Sequence, residues 1–231
     1  LDRLRAMRDE GDRSLLVILG ASGAGKSSFM RAGLLPRLGR DGRHFLTLGV
    51  MRPERAPLNG ERGLADVLAA ANRQLGLAPV HGGAVKALLA RGGDALARLL
   101  EAIRLAAATQ PAGSALDTMP PTIVLPVDQA EELFNADATD EAQAFLHLLG
   151  NALRTKAGEL PLIVMLTIRS EHYEPLQTAP ALAGLATSNV RPPLVPVSFG
   201  TLAGRRVGEL FEPVRVTSIH PWHEANGAVF E

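Results

Sequence analysis

Gly20-Ala21-Ser22-Gly23-Ala24-Gly25-Lys26-Ser27 constrains this chain more than any other stretch, because it fills every fixed position of the pattern G-x-x-x-x-G-K-[ST]. The flanks fit the pattern. Ser14 to Leu19 is a short apolar run that predicts a strand buried on both faces, and Ser28 to Leu38 predicts a helix. Glycines at such a strand-to-helix turn let the backbone approach a phosphate closely, and successive N–H groups form an anion nest at the positive end of the helix. Lys26 is placed to reach the β- and γ-phosphates, and the Ser27 hydroxyl to ligate Mg²⁺. The candidate nucleotide contacts are therefore Gly20, Ala21, Ser22, Gly23, Ala24, Gly25, Lys26, Ser27 and Ser28.

Composition narrows the setting. Lys+Arg and Asp+Glu balance at 24 each, so no global field draws nucleic acid or an anionic membrane. With no cysteine there is neither a disulfide framework nor a thiolate metal site, which fits a reducing, cytoplasmic compartment. The longest apolar runs, such as 161–168, are far shorter than the ~20 residues that span a bilayer. The first residues lack a signal-peptide core, and without an initiator methionine the chain is expected to be a segment of a longer protein.

Along the chain, residues 1–10 predict a short helix, and Gly33 and Pro36 predict that the helix after the loop ends or bends early. Phe45 to Val50 predicts a second strand, closed by Arg52-Pro53, and Leu64 to Leu75 repeats at helical spacing. Helices are expected at about 83–90 and 95–108, the second capped by Asp94, with a loop over 109–121. Thr122 to Val127 reads as a strand, and Pro126, which lacks an N–H, predicts a local irregularity there. A helix over 138–157, a strand over 162–168 and two short helical stretches follow. From Ser188 a proline-rich connector marks the edge of the core, giving a unit at 1–190 and the start of a second, helical or winged-helix-like module at 191–231, whose first helix is Leu202 to Phe211. Strands alternating with helices define an α/β fold, a mostly parallel sheet with helices on both faces, and such sheets bind ligands beyond the carboxyl ends of their strands.

The loop, Asp128 and Arg169 all fall at such ends. Asp128 is placed to hold Mg²⁺, with capping of the next helix as the structural alternative. Glu131 and Glu132 follow on the turn, and Glu131 is the better placed to polarise water; solvated charges at a helix start are the alternative. Arg169 is placed to contact a γ-phosphate, or else to pair with Glu171 or Glu174. His220 and His223, interrupted by Pro221, make a poor metal site with no third ligand nearby, and Trp222 reads as an anchor.

The segment 20–38, with Lys26-Ser27-Ser28 and Arg31-Ala32-Gly33-Leu34-Leu35-Pro36, resembles the P-loop and following helix of the novel STAND NTPases, signal-transduction ATPases with numerous domains. Asp128-Gln129-Ala130-Glu131-Glu132-Leu133-Phe134 is similar to their Walker B signature, with Ala130 in place of the usual aromatic residue. Thr167-x-Arg169 resembles their sensor segment, and Arg52-Pro53 the pair after their second strand. The likeness runs over about 1–190 in matching order.

The resemblance implies a P-loop NTPase sandwich that binds ATP or ADP with Mg²⁺ and hydrolyses ATP slowly. It further implies a bacterial signalling or defence switch, closed with ADP and oligomeric with ATP, joined to sensor and effector domains of the same longer chain. The family's upstream Gly-Arg-Glu segment would precede Leu1, and Pro213 is a weak counterpart of its adenine-contacting proline. No Asn-Lys-x-Asp guanine-reading segment occurs, which favours ATP. A P-loop kinase acting on a small acceptor and a non-hydrolysing nucleotide scaffold are the alternatives; the kinase lacks an arginine-rich lid, Arg205-Arg206 being the basic pair of the last third.

Overall fold

The computed structural model describes residues 1–10, 15–77, 83, 87, 91–109, 120–135, 140–154 and 161–192. The strands are β1 (Leu15–Gly20), β2 (Phe45–Thr47), β3 (Thr122–Val127), β4 (Leu162–Arg169) and β5 (Thr187–Val190). They form one five-stranded sheet in the order β2-β3-β4-β1-β5, and every pairing is parallel. The α/β expectation holds.

The central strands β1, β3 and β4 lack polar alternation because both their faces are covered. Leu16 and Ile18 of β1, with Ile163 and Met165 of β4, pack under α1 (Asp2–Glu10) and the helix after the loop, through Leu4, Met7, Met30 and Leu38. Leu15, Val17 and Leu19 point the other way, with Val164, Leu166 and Ile168, into a larger cluster. That cluster is covered by α4 (Leu64–Gln74), α5 (Gly93–Ala108) and α6 (Asp140–Arg154). The stack has three layers.

The helix after the loop does not end at Gly33 or Pro36. It runs from α2 (Lys26–Ser28) through a wide, π-helical segment (Phe29–Leu34) into α3 (Leu35–Arg40), with Leu35 N–H bonding back to Met30 O. Pro36 lies just beyond the wide segment, which absorbs the irregularity that the proline predicts.

Pro126 has a comparable consequence. Thr122 and Asp128 donate to His44 O and Met51 O at 2.8 and 2.9 Å, so even-numbered residues of β3 face the β2 side. The N–H that Pro126 lacks would point there too. The facing chain donates from Leu48 to Val124 O and next from Met51 to Pro126 O, so three residues span a step that two take on β3. This bulge ends β2 at Thr47 rather than Val50 and delivers Arg52 beside the carboxyl end of β3.

Two further expectations change. Gly92, at φ 99°, caps α5, and Asp94 lies in the first turn instead. Thr187–Val190, read as the approach to a connector, is a fifth strand paired with β1 from Leu15 to Ile18. Of the helix expected at 138–157, the described residues form Asp140–Arg154, with Phe145, Leu146 and Leu149 buried as expected; 138, 139 and 155–157 lie outside the described residues. The expected helix at 83–90 falls largely outside the described residues, as do most of the 109–121 loop, Arg205, Arg206, Pro213, His220, Trp222, His223 and the whole of 193–231.

Candidate functional site

The loop leaves β1 at Gly20 and turns through Gly23 and Gly25, whose φ values of 77° and 74° lie in the left-handed region that glycine alone adopts without strain. Ala21, Ser22, Gly23, Gly25 and Ser28 are exposed, so the loop is open to a ligand. The loop is closely packed at Gly20, where a Cβ would come within 3.2 Å of the Ala24 Cβ and 3.4 Å of the Lys26 Cγ. Lys26 folds over the loop and donates from Nζ to Gly20 O at 2.9 Å and Ala21 O at 2.7 Å. Burial holds its ammonium below the ordinary lysine value, and the Glu131 carboxylate opposes that shift.

β4 lies between β1 and β3, so Asp128 must meet the loop across the end of an intervening strand. It does so through a network. Ser27 Oγ donates to Asp128 Oδ1 at 2.7 Å, Thr167 Oγ1 of β4 donates to the same oxygen at 2.6 Å, and Arg31 Nε donates to Oδ2 at 3.0 Å. Thr167 Oγ1 also accepts from Gln129 N at 2.8 Å, fixing a residue whose φ of 59° is unusual for a side chain of that size. Burial pushes the Asp128 carboxyl up, but the hydrogen bonds from Thr167, Ser27 and Arg31 outweigh it and hold the group below the usual carboxylate range. Asp128 does not cap the following turn, so its structural alternative falls away.

The two glutamates differ. Glu132 Oε1 accepts from Arg52 Nε and Nη2 at 3.1 and 2.8 Å, and Glu132 Oε2 accepts from Glu54 N at 2.8 Å. Both its oxygens tie the 3₁₀ turn Ala130–Phe134 to the chain after β2. Glu131 accepts from Arg169 Nε at 3.0 Å on Oε1, and Oε2 is buried with no hydrogen-bond partner among the described residues. Buried carboxylate oxygens are rarely left unpaired, which sets Glu131 apart from Glu132. Arg169 thus pairs with Glu131 rather than with Glu171 or Glu174.

The structure brings Lys26, Ser27, Asp128, Glu131 and Arg169 to one sheet edge, as the sequence predicts. Three contributors are new. Arg31 and Thr167 appear in quoted motifs without a role, and Arg52 carries a role only through its grip on Glu132. The spacing of four between Ser27 and Arg31, one helical turn, is the sequence signal that could have found the first.

Donor chemistry at this edge suits a magnesium nucleotide. A hydroxyl and a carboxylate in mutual contact at the start of a helix are oxygen ligands and water acceptors of the kind Mg²⁺ takes, with Lys26 beside them for phosphate. Among the described residues there is no cluster of three His, Cys, Asp or Glu that would hold a metal by protein ligands alone.

The family model described as Novel STAND NTPase 1 matches residues 1–198. Two curated relatives, the sarcosine oxidase alpha subunits of Corynebacterium sp. strain U-96 and of Rhizobium meliloti strain 1021, match over short stretches. The first is 55% identical over 49 residues and the second 46% identical over 48, each 21% of this chain. The chain spans 5% of the length of these relatives. Among solved structures it is similar to Thermomonospora curvata EccC (ATPases 2 and 3) in complex with a signal sequence peptide, with 13% identity and a TM-score of 0.39, over 79% of this chain and 30% of that one.

Proposed function

We propose, for a chain that belongs to the Novel STAND NTPase 1 family, that this nucleotide-binding NTPase domain is an ATP-hydrolysing regulatory switch in a longer, multidomain signalling or defence protein. The observation that carries the reading is the division of labour between Glu131 and Glu132: one has a buried, unpaired oxygen at the candidate site, and the other has both oxygens committed to the fold.

In this reading the loop N–H groups and Lys26 bind the phosphates, and Ser27 and Asp128 would hold Mg²⁺, which would supply neutralisation of phosphate charge. Glu131 Oε2 accepts the proton of the attacking water as its oxygen bonds to the γ-phosphorus and the bond to ADP breaks. Arg169 steadies Glu131 through Nε and presents its terminal nitrogens to the γ-phosphate, so that the site distinguishes ATP from ADP. Nucleotide state then governs contact with sensor and effector domains and self-association. Residues 1–190 form the NTPase unit, and 191–231 lead into the next module. No helix among the described residues is long and apolar enough to cross a membrane.

Phosphate release and nucleotide binding, measured side by side, test the reading. Glu131→Gln is expected to bind ATP normally and to release phosphate 10²- to 10⁴-fold more slowly, the range for loss of a general base. Phosphate appearing on a small acceptor would favour a kinase, and unchanged release would remove Glu131 from the chemistry.

A further inference from the structure

We infer that Arg31 is a positioning residue for the metal site, the group that sets the orientation of the Asp128 carboxylate; the inference rests on the magnesium-nucleotide reading above. Ser27 and Arg31 are four residues apart on the helix after the loop, so they project from the same side one turn apart. Together they clamp the two oxygens of one carboxylate, Ser27 on Oδ1 at 2.7 Å and Arg31 on Oδ2 at 3.0 Å.

The two ends of the clamp are not equivalent. Oδ1 has a second holder, Thr167 at 2.6 Å, whereas Arg31 is the one side chain among the described residues bonded to Oδ2. Arg31 is also the charged member of the set. With Ser27 and Thr167 alone the carboxylate could pivot about Oδ1, and Oδ2 would lose a fixed direction. A metal-bound water that donates to this carboxylate needs that direction. Outer partners of this kind govern metal affinity without touching the metal.

The Arg31 side chain is 45% exposed, so little of the core depends on it. Its backbone belongs to the wide segment Phe29–Leu34, whose buried residues are Met30 and Leu34. Exposure on one side and a charge-assisted bond to a buried carboxylate on the other suit a residue kept for orientation.

The test is the gain in ADP affinity on adding Mg²⁺, measured by titration of the full chain with Mg²⁺ and with EDTA. No turnover is needed. Arg31→Ala should lose about tenfold or more of the Mg²⁺-dependent gain, the scale for loss of an outer-shell partner, while affinity in EDTA stays within about twofold. Arg31→Lys, which keeps the charge without the fork, should recover part of the gain, and it carries the test if the alanine variant does not fold. An unchanged Mg²⁺ gain in both variants, or an equal loss in EDTA, overturns the inference. A wild-type chain that binds no ADP, or gains nothing from Mg²⁺, would instead sink the nucleotide reading on which it rests.

Discussion

Arg169 donates through Nε to Glu131 Oε1 at 3.0 Å and leaves Glu131 Oε2 buried and unpaired. One residue further on, Glu132 is bound on both oxygens. Two adjacent carboxylates of the same charge therefore sit in different environments, decided by which arginine reaches them.

Glu132→Ala should cost stability and spare chemistry. Losing the Arg52 pair and the Glu54 N–H bond removes charge-assisted contacts worth on the order of 1–3 kcal/mol. Thermal unfolding should drop accordingly, with nucleotide affinity little changed. A variant of wild-type stability with abolished phosphate release would reverse the roles given to Glu131 and Glu132.

Acid should unfold the protein partly through Asp128. Its folded carboxyl is held below the ordinary value of 3.8, so the stability it contributes is complete above that value and is lost as pH falls through the folded one. Thr167→Val removes one of the holding bonds and should move the acid unfolding midpoint upward, at a cost of about 1.5–3 kcal/mol at neutral pH. A midpoint that stays in place while neutral stability falls would show that Thr167 supports the fold and not the charge.

The motif residues were legible in the sequence because their spacing is local. A loop of fixed pattern after a strand, an acid at the end of a later strand and an arginine at the end of another need only the rule that parallel strands share a carboxyl edge. What was not legible depends on distance. Arg31 and its partner are 97 residues apart, and Arg52 and Glu132 are 80 apart, so nothing local to either residue names the other. The partners of Glu132 are likewise distant in sequence, so reach alone favours Glu131 over Glu132 there. β5 was missed because Thr187-Ser188-Asn189-Val190 is short and largely polar, as an edge strand can be, and carries no buried-strand pattern. Pro126 gave a sound warning of irregularity, but the bulge that answers it lies in the neighbouring chain, at Gly49 and Val50.

Among the described glycines, Gly150 leaves the least room for a side chain. A Cβ built there would come 2.0 Å from Ala181 O, in the turn Pro180–Leu182 that Arg154 Nη2 also holds at 2.8 Å. Gly150→Ala should therefore push α6 from this turn and lower stability by about 1–3 kcal/mol, the usual scale for overpacking. Denaturant midpoints compare the two proteins, and an alanine variant as stable as wild type would show that the turn yields without cost.

Nucleotide affinity measured on the full chain, with ATP and with ADP in the presence of Mg²⁺, tests the central claim most directly. Lys26 crosses the loop between the carbonyls of Gly20 and Ala21, within the field of Glu131, and is the charge nearest to hand for a phosphate. The account predicts saturable binding of both nucleotides by the wild-type chain and its loss in Lys26→Ala at unchanged folding. Binding of neither nucleotide, or equal binding by the Lys26→Ala variant, would contradict it.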